Sequence, residues 1–141
     1  MIIVEGVFAM NKVVATTKAP QAIGPYSQGI KVTGGLIFVS GQIPLVPETG
    51  EIVAGGIAEQ AAQVLENLKA IVEAAGSTLA NVIKTTVYLK DIGDFAAVNT
   101  IYAKYFTENC PARVCVEVSN LPKGALIEID VIAAPGTDYS Y

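Results

Sequence analysis

The stretch from residue 111 to residue 134 constrains the fold most, because apolar side chains alternate with other side chains through it. This two-residue period is typical of β-strands. Residues 120–124 interrupt the alternation with Pro122 and Gly124, so the sequence predicts two strands joined by a turn, a β-hairpin. One face of the predicted hairpin is wholly aliphatic. The opposite face, here called the mixed face, combines charged side chains with a thiol and apolar neighbours: Arg113, Cys115, Glu117, Leu126, Glu128, Asp130 and Ile132.

The mixed face has two interpretations. It can be an ordinary solvated face, which is common in antiparallel sheets. However, water seldom surrounds a cysteine and large aliphatic side chains placed among charges. We therefore interpret the mixed face as covered by another part of the protein and yet functional.

Periodicity ahead of the hairpin predicts three strands, a helix, a fourth strand and a second helix. The first three strands are expected at residues 12–17, 28–33 and 36–40. Gly34–Gly35 separates the last two, which is a two-residue hairpin signal. The fourth strand is expected at residues 81–90.

Both helices are predicted from apolar residues that recur at helical spacing. The first helix is expected at Ile57–Ala75, with Gly76 suited to a left-handed cap after it. Asp94 is expected to cap the second helix, which should end near Glu108. Its aromatic residues are expected to pack in the protein core rather than to form a platform on which nucleic-acid bases stack.

These elements predict an α+β sandwich, in which about six strands form a mixed sheet and two helices cover one face. The other face would be bare in a single chain. Charged residues make up only 16% of the chain, against about 25% in an average soluble domain. We therefore expect several copies of the chain to pack these faces together and to build sites between them.

Composition excludes several classes of site. The chain has no histidine and two cysteines, which removes the usual zinc sites, Ser–His triads and Cys–His dyads. The net charge of −4 and the dispersed basic residues disfavour nucleic acid as a partner.

The chain is expected to form one domain at residues 10–135, with an N-terminal extension at 1–9 and a tail at 136–141. The extension contains Glu5 and has no basic region, so it is a poor signal peptide. The uncharged stretch 32–47 is too short to span a bilayer. The sequence therefore predicts a cytoplasmic protein that does not contact membranes.

Three side chains of the mixed face are candidates for chemistry. Arg113 suits bidentate binding of a carboxylate, or else forms an ion pair with Glu117 or Glu128. Glu128 suits the positioning or deprotonation of a water molecule, or else is the partner in that ion pair. Cys115 has no histidine to activate it, which favours an inert thiol over a nucleophile.

The chain also contains six separated motifs. They are AIGPYSQG at residues 22–29, FVSGQIP at 38–44, ENLKAIVEAAG at 66–76, VIKTTVYLKD at 82–91, DFAAVNTIYAKYF at 94–106 and PARVCVEVSNLPKGALIEIDVIA at 111–133. In this order and spacing they resemble the RidA family, also called the YjgF family, of reactive-intermediate imine deaminases. The resemblance extends from about Met10 to Ala134.

The resemblance implies a chorismate-mutase-like (ferredoxin-like) fold and a homotrimer whose sheets line a central barrel. It also implies clefts between protomers that bind small carboxylate-bearing molecules. Family members with the arginine hydrolyse enamines and imines, such as 2-aminoacrylate, to 2-keto acids and ammonia without a cofactor. The implied activity is that of a 2-iminobutanoate/2-iminopropanoate deaminase.

The matching motifs show which positions of this chain correspond to the family's site residues. The resemblance implies that Arg113 grips the substrate carboxylate. It implies that Glu128 holds and activates the attacking water, with Cys115 lining the site and helping to place that water. Three further positions are implied to contact the substrate: Tyr26, Ser40 and the backbone N–H of Gly41.

Two other functions stay open at this point. The same pocket would serve a regulatory module that binds keto acids or other carboxylates without turnover. Some relatives are ascribed a ribonuclease or translation-inhibitor activity, which the acidic charge and the absence of histidine disfavour here.

Overall fold

The structure is a computed structural model and describes residues 11–32 and 34–136. The predicted extension, and the predicted tail after Gly136, lie outside these residues. The described elements are β1 (Asn11–Val14), β2 (Gly29–Val32), β3 (Ile37–Gln42), α1 (Ile57–Ala74), β4 (Val82–Leu89), α2 (Phe95–Tyr105), β5 (Ala112–Glu117) and β6 (Ile127–Ala133). None of the helices in the described ranges is long and apolar enough to cross a membrane.

The six strands form one sheet in the order β1-β2-β3-β6-β4-β5. Neighbouring strands are antiparallel except β4 and β5, which are parallel. The predicted α+β architecture, with a six-stranded mixed sheet and two helices, is therefore confirmed. The hairpin predicted at Gly34–Gly35 is also confirmed, since β2 pairs with β3 and Gly34 has a φ of +70°.

The first strand is shorter than predicted because a side chain takes over its backbone hydrogen bonds. Thr16 N–H donates to Gln28 Oε1 at 2.7 Å, and Gln28 Nε2 donates to the Thr16 carbonyl at 3.0 Å. Buried Gln28 thus replaces a neighbouring strand at this point.

The first helix is confirmed as α1, and Gly76 follows it with a φ of +84° in the left-handed region. The second helix ends at Tyr105 rather than near Glu108. Asp94 stands at its N-cap, but its side chain makes no capping hydrogen bond. Asp91 caps instead, because a 3₁₀ turn precedes the helix and Gly93 N–H donates to its carboxylate at 2.8 Å.

The core lies between the sheet and the helices. Its largest fully buried side chains come from both layers: Ile37, Leu65, Leu68, Ile71, Leu89, Ile127 and Ile129. Burial of aliphatic side chains supplies about 1.5–3 kcal/mol for each of them. This layer holds one face of every central strand rigidly and so sets the direction of the side chains on the other face.

The predicted hairpin between β5 and β6 is wrong. Both strands form, but β4 lies between them and pairs with each. The connection crosses the end of β4, where Val118 N–H donates to the Leu89 carbonyl and Lys90 N–H donates to the Leu126 carbonyl. Residues 118–126 thus cross a strand instead of making a tight turn, and Ala125 is buried there in a small second cluster.

The mixed face is consequently wrong as well, because its two halves lie on opposite sides of the sheet. Arg113 is level with Thr85 on β4, and Thr85 is fully buried beneath α2. Glu128 is level with Tyr88. Tyr88 follows Thr85 by three residues on β4, so the two side chains point to opposite sides of the sheet. Since side chains alternate along a strand, Arg113 faces the helices and Glu128 faces the side that the helices leave bare.

The face without helices, here called the open face, exposes several large apolar side chains. They belong to one face by strand register and are Val13, Phe38, Val114 and Val116, with exposed fractions of 68%, 45%, 42% and 39%. Asp130 and Glu128 lie in the same rows of the sheet as Val114 and Val116, so this face combines apolar and charged side chains. Exposed apolar side chains grouped on a sheet face without helices suit a contact with another protein surface.

Candidate active site

A cavity of about 300 Å³ opens on the side of the sheet that carries Glu128. Its lining is apolar at one end and polar at the other: Ile23, Tyr26, Ser40, Gly41, Ile43, Pro122 and Glu128. Four of the predicted site residues therefore share one pocket, namely Tyr26, Ser40, Gly41 and Glu128. Two predicted site residues, Arg113 and Cys115, are not in its lining.

A β-bulge in β3 shapes the polar end of the pocket. The register with β6 shifts between Val39 and Gln42, so that three steps along β3 oppose two along β6. The bulge brings the backbone of Gly41 against the carboxyl group of Glu128. A Cβ atom at position 41 would lie 2.9 Å from Glu128 Cδ, which real contacts do not permit. Only glycine therefore allows the Glu128 carboxyl to lie where it does.

The environment of Glu128 favours its protonated form more than water does. Partial burial of the carboxyl raises the pKa of Glu128, and the negative charge of Asp130 raises this pKa further. A carboxyl whose pKa is moved toward neutrality can both accept and return a proton during a reaction. Glu128 has the environment of a general acid–base group.

Hydroxyl groups of Ser40 and Tyr26 border the same pocket. Ser40 Oγ donates to the Ser27 carbonyl at 2.6 Å. Because this bond uses the hydroxyl proton, the Ser40 oxygen can still accept a hydrogen bond. Tyr26 is 47% exposed, and its hydroxyl accepts from Ile23 N–H at 3.2 Å. A phenol that accepts this bond still has its own proton to donate, so Tyr26 can bind an acceptor on a ligand.

Arg113 projects from the edge strand β5 on the other side of the sheet. Its Nη1 donates to Asn99 Oδ1 at 2.7 Å. The guanidinium carbon lies 5.3 Å from the ring centre of Phe95 and 4.8 Å from that of Tyr102, within cation–π range. Two aromatic rings and one amide thus hold an exposed guanidinium in place.

The ion pair considered for Arg113 does not form in the described chain. Glu117 accepts a hydrogen bond from Ile92 N–H at 3.0 Å, and Glu128 lies on the opposite face of the sheet. The hydrogen bond of the guanidinium goes to a neutral amide instead. Arg113 therefore keeps its charge available for an anionic ligand.

Asn99 was not among the residues predicted for the site. Phe95, Asn99 and Tyr102 stand at positions i, i+4 and i+7 of α2, on one helix face. A polar residue inside an otherwise aromatic stripe is the signal that would have identified it. What the sequence does not reveal is that this stripe meets Arg113 of a strand that follows the helix.

The two cysteines lie in different environments. Cys115 packs against the core, where burial raises the pKa of its thiol and nearby Arg113 lowers it less. Cys110 is exposed and its Sγ donates to the Phe106 carbonyl at 3.5 Å. An elevated pKa leaves little thiolate at neutral pH, which disfavours Cys115 as a nucleophile. Within residues 11–32 and 34–136, no cluster of three or more acidic, cysteine or histidine side chains suits a metal ion.

Comparison with known proteins decides the family. The model of the family described as Endoribonuclease L-PSP matches residues 16–135. The chain belongs to this family, the RidA/YjgF family. A RutC family protein of Pyrococcus horikoshii is 61% identical over 124 residues, which cover 88% of this chain and 98% of that protein.

Two further relatives from Escherichia coli are informative. The 2-iminobutanoate/2-iminopropanoate deaminase of strain K12 is 54% identical over 127 residues, covering 88% of this chain and 98% of that protein. The crystal structure of TdcF with bound serine superposes with a TM-score of 0.84 at 46% identity, covering 89% of this chain and 99% of that one. The fold described above is therefore the fold of this family.

Proposed function

We propose that this protein hydrolyses reactive enamines and imines of small amino acids, such as 2-aminoacrylate and 2-iminobutanoate, to 2-keto acids and ammonia. The observation that carries the proposal is the half-buried Glu128 at the polar end of a small, largely apolar pocket. The deaminase name of a relative at 54% identity supports the reaction, and the serine bound by TdcF supports a ligand of amino-acid size.

The proposed site is shared between copies of the chain. Arg113 and Glu128 face opposite sides of the sheet within one chain, so one guanidinium and one carboxyl can meet only across an interface. Arg113 stands on the edge strand β5, and the open face exposes apolar side chains that a neighbour would cover. We propose a homotrimer in which the open faces line a central barrel and the contacts close into a ring.

In this arrangement each cleft has an anion-binding wall and a proton-transfer wall. Arg113 of one copy holds the substrate carboxylate through two parallel hydrogen bonds. Cys115, two residues further along β5, lines the same wall as a neutral thiol and helps to place the water. Tyr26, Ser40 and the Gly41 N–H of the other copy close around the substrate.

The reaction needs one water molecule and one proton carrier. An enamine first takes a proton on carbon and becomes the protonated imine. Glu128 then removes a proton from water as the oxygen adds to the imine carbon, which gives a neutral carbinolamine. The protonated Glu128 gives this proton to the nitrogen. Glu128 next takes up the hydroxyl proton as the carbon–nitrogen bond breaks, the keto acid and ammonia leave, and Glu128 releases that proton to water. Proton transfer by a positioned side chain typically contributes about 10²–10⁴-fold.

Two parts of the proposal concern location and partners. We propose that the protein acts in the cytoplasm, because short-lived imines hydrolyse on their own and an enzyme that removes them must act where they form. The net charge of −4 opposes binding to nucleic acid, although the family description contains the word endoribonuclease.

A deamination assay tests the proposed function. Release of 2-keto acid from freshly generated 2-aminoacrylate and 2-iminobutanoate should exceed the spontaneous rate when the protein is added. Wild-type protein without this acceleration would contradict the proposal. Stabilisation of the protein by keto acids without turnover would favour the binding module, and RNA cleavage by nuclease-free protein would favour the ribonuclease.

Substitution of Asn99 tests the placement of Arg113. Asn99→Ala removes the hydrogen bond to the guanidinium, and bonds to charged groups contribute about 1.5–3 kcal/mol. The KM for carboxylate substrates should rise about tenfold or more, with a smaller change in kcat. Thr100→Ala is the matched control, since the exposed Thr100 hydroxyl donates within α2 to the Ala96 carbonyl. An unchanged KM in Asn99→Ala would show that the amide does not position Arg113.

A further inference from the structure

Next to the proposed proton carrier lies a second carboxylate that the reaction above does not use. Asp130 follows Glu128 by two residues on β6, so both side chains are on the open face. Two residues along a strand span about 7 Å. Both side chains are partly buried, which strengthens the repulsion between their charges relative to water.

A tyrosine on the neighbouring strand fixes the position of Asp130. Tyr88 on β4 stands directly opposite Glu128 in the register, yet its hydroxyl donates to Asp130 Oδ2 at 2.9 Å. The hydrogen bond to Asp130 is the main reason that the pKa of Tyr88 is raised, with burial second. The phenol therefore stays protonated and acts as a donor that ties Asp130 to β4.

The charged and titratable groups around Glu128 differ between elements. The group on β6 is Asp130. The groups on β4 are Tyr88 and Lys84, and Lys84 is level with Ile132, two positions beyond Asp130. The bulge of β3 presents uncharged Ser40 and Gly41, and the loop before β2 presents Tyr26. Under the proposed assembly, Arg113 of another copy adds a positive charge. Asp130 is the negative group next to Glu128 on its own strand.

We propose that Tyr88 and Asp130 form a positioning pair for Glu128, in which the Tyr88 hydroxyl fixes the Asp130 carboxylate on the same face of the sheet as Glu128, where its negative charge strengthens the hold of Glu128 on a proton. The inference rests on the proposed role of Glu128 as the proton carrier. Neither Tyr88 nor Asp130 lines the pocket, so both act through Glu128. The pair solves a specific problem, because a carboxylate that held its proton too weakly would be a poor base toward water.

Asp130→Asn tests the charge while it keeps an acceptor for Tyr88. The protonation midpoint of Glu128, measured by carbon NMR of the labelled carboxyl group in the intact protein, should move to lower pH. The acid limb of the kcat/KM profile should move in the same direction. The rate at neutral pH should fall by about tenfold or less, which is small against the loss of Glu128 itself.

Three comparisons make the test specific. Asp130→Glu retains the charge and should restore the acid limb. Tyr88→Phe releases Asp130 but keeps its charge, so it should give a smaller shift in the same direction. Glu48→Gln removes an exposed charge outside the pocket and should leave the Glu128 midpoint unchanged.

The outcomes separate this inference from the proposed function. An Asp130→Asn protein that is folded by NMR but has an unchanged Glu128 midpoint would overturn the inference whatever its activity. A midpoint that moves in a protein without deaminase activity would support the coupling and would reject the proposed function instead.

Discussion

Mixing Arg113→Ala chains with Glu128→Gln chains should restore deamination that neither variant has alone. Glu128→Gln should lose about 10²–10⁴-fold in kcat, because the amide cannot carry the proton. Arg113→Ala should lose about 30-fold or more in kcat/KM, since removal of one partner of a charged pair costs about 2–5 kcal/mol. The physical basis of the rescue is that the two groups face opposite sides of the sheet in each chain.

The size of the rescue follows from counting pockets. When the two variants assemble at random in equal amounts, about one quarter of the pockets receive an intact Arg113 from one chain and an intact Glu128 from its neighbour. Co-expressed or refolded mixtures should therefore reach about a quarter of the wild-type rate. Mass measurement in solution should give a trimer for each variant and for the mixture.

A double variant provides the control for this experiment. Chains that carry both Arg113→Ala and Glu128→Gln have neither half of the site, so mixing them with either single variant should restore nothing. Mixed trimers without activity, or a chain that is monomeric in solution, would contradict a site built between copies.

Gly41→Ala is expected to remove most of the activity by displacing Glu128. The added Cβ would overlap the Glu128 carboxyl group, whose Cδ lies 2.9 Å from its position, so the side chain must move away. A displacement of about 1 Å in a reacting group costs about 10²-fold in rate. We expect a loss of that size in kcat, together with a loss of about 1 kcal/mol or less in the free energy of unfolding, because the atoms that must move belong to the far end of the flexible Glu128 side chain.

A double-mutant cycle identifies the cause of that loss. In a Glu128→Ala background the obstructing carboxyl is gone, so Gly41→Ala should then change the free energy of unfolding little. Gly35→Ala is the control, because its nearest contacts are side-chain atoms of Val32 outside the pocket. Equal destabilisation by Gly41→Ala in both backgrounds would show that the glycine serves the backbone of the bulge rather than Glu128.

Local periodicity predicted the elements well, because it reports which face of a helix or strand is buried. The α1 stripe and the Gly34–Gly35 hairpin are short-range features, and both are confirmed. The pairing of β5 with β6 was predicted from their closeness in sequence and was wrong. The competing partner, β4, lies more than twenty residues upstream of β5, and both strands pair with it.

The candidate site shows the same limit of prediction from local sequence patterns. Motif positions identified Tyr26, Ser40, Gly41 and Glu128, and the structure places all four around one pocket. These four residues come together because β3 pairs with β6 and because β3 contains a bulge, which no local sequence pattern predicts. Alternation alone placed Arg113 beside Glu128, because it assumed that the two strands were neighbours.

The division of Arg113 and Glu128 between two sides of the sheet has a genetic consequence. Under the proposed assembly each polypeptide serves two clefts, one through its guanidinium and one through its carboxyl. A single subunit that lacks both groups would therefore inactivate about two thirds of the clefts in its ring. When normal and defective chains of this kind are made in equal amounts, about one quarter of the clefts stay intact, whereas chains that only fail to fold would leave about one half of the normal number.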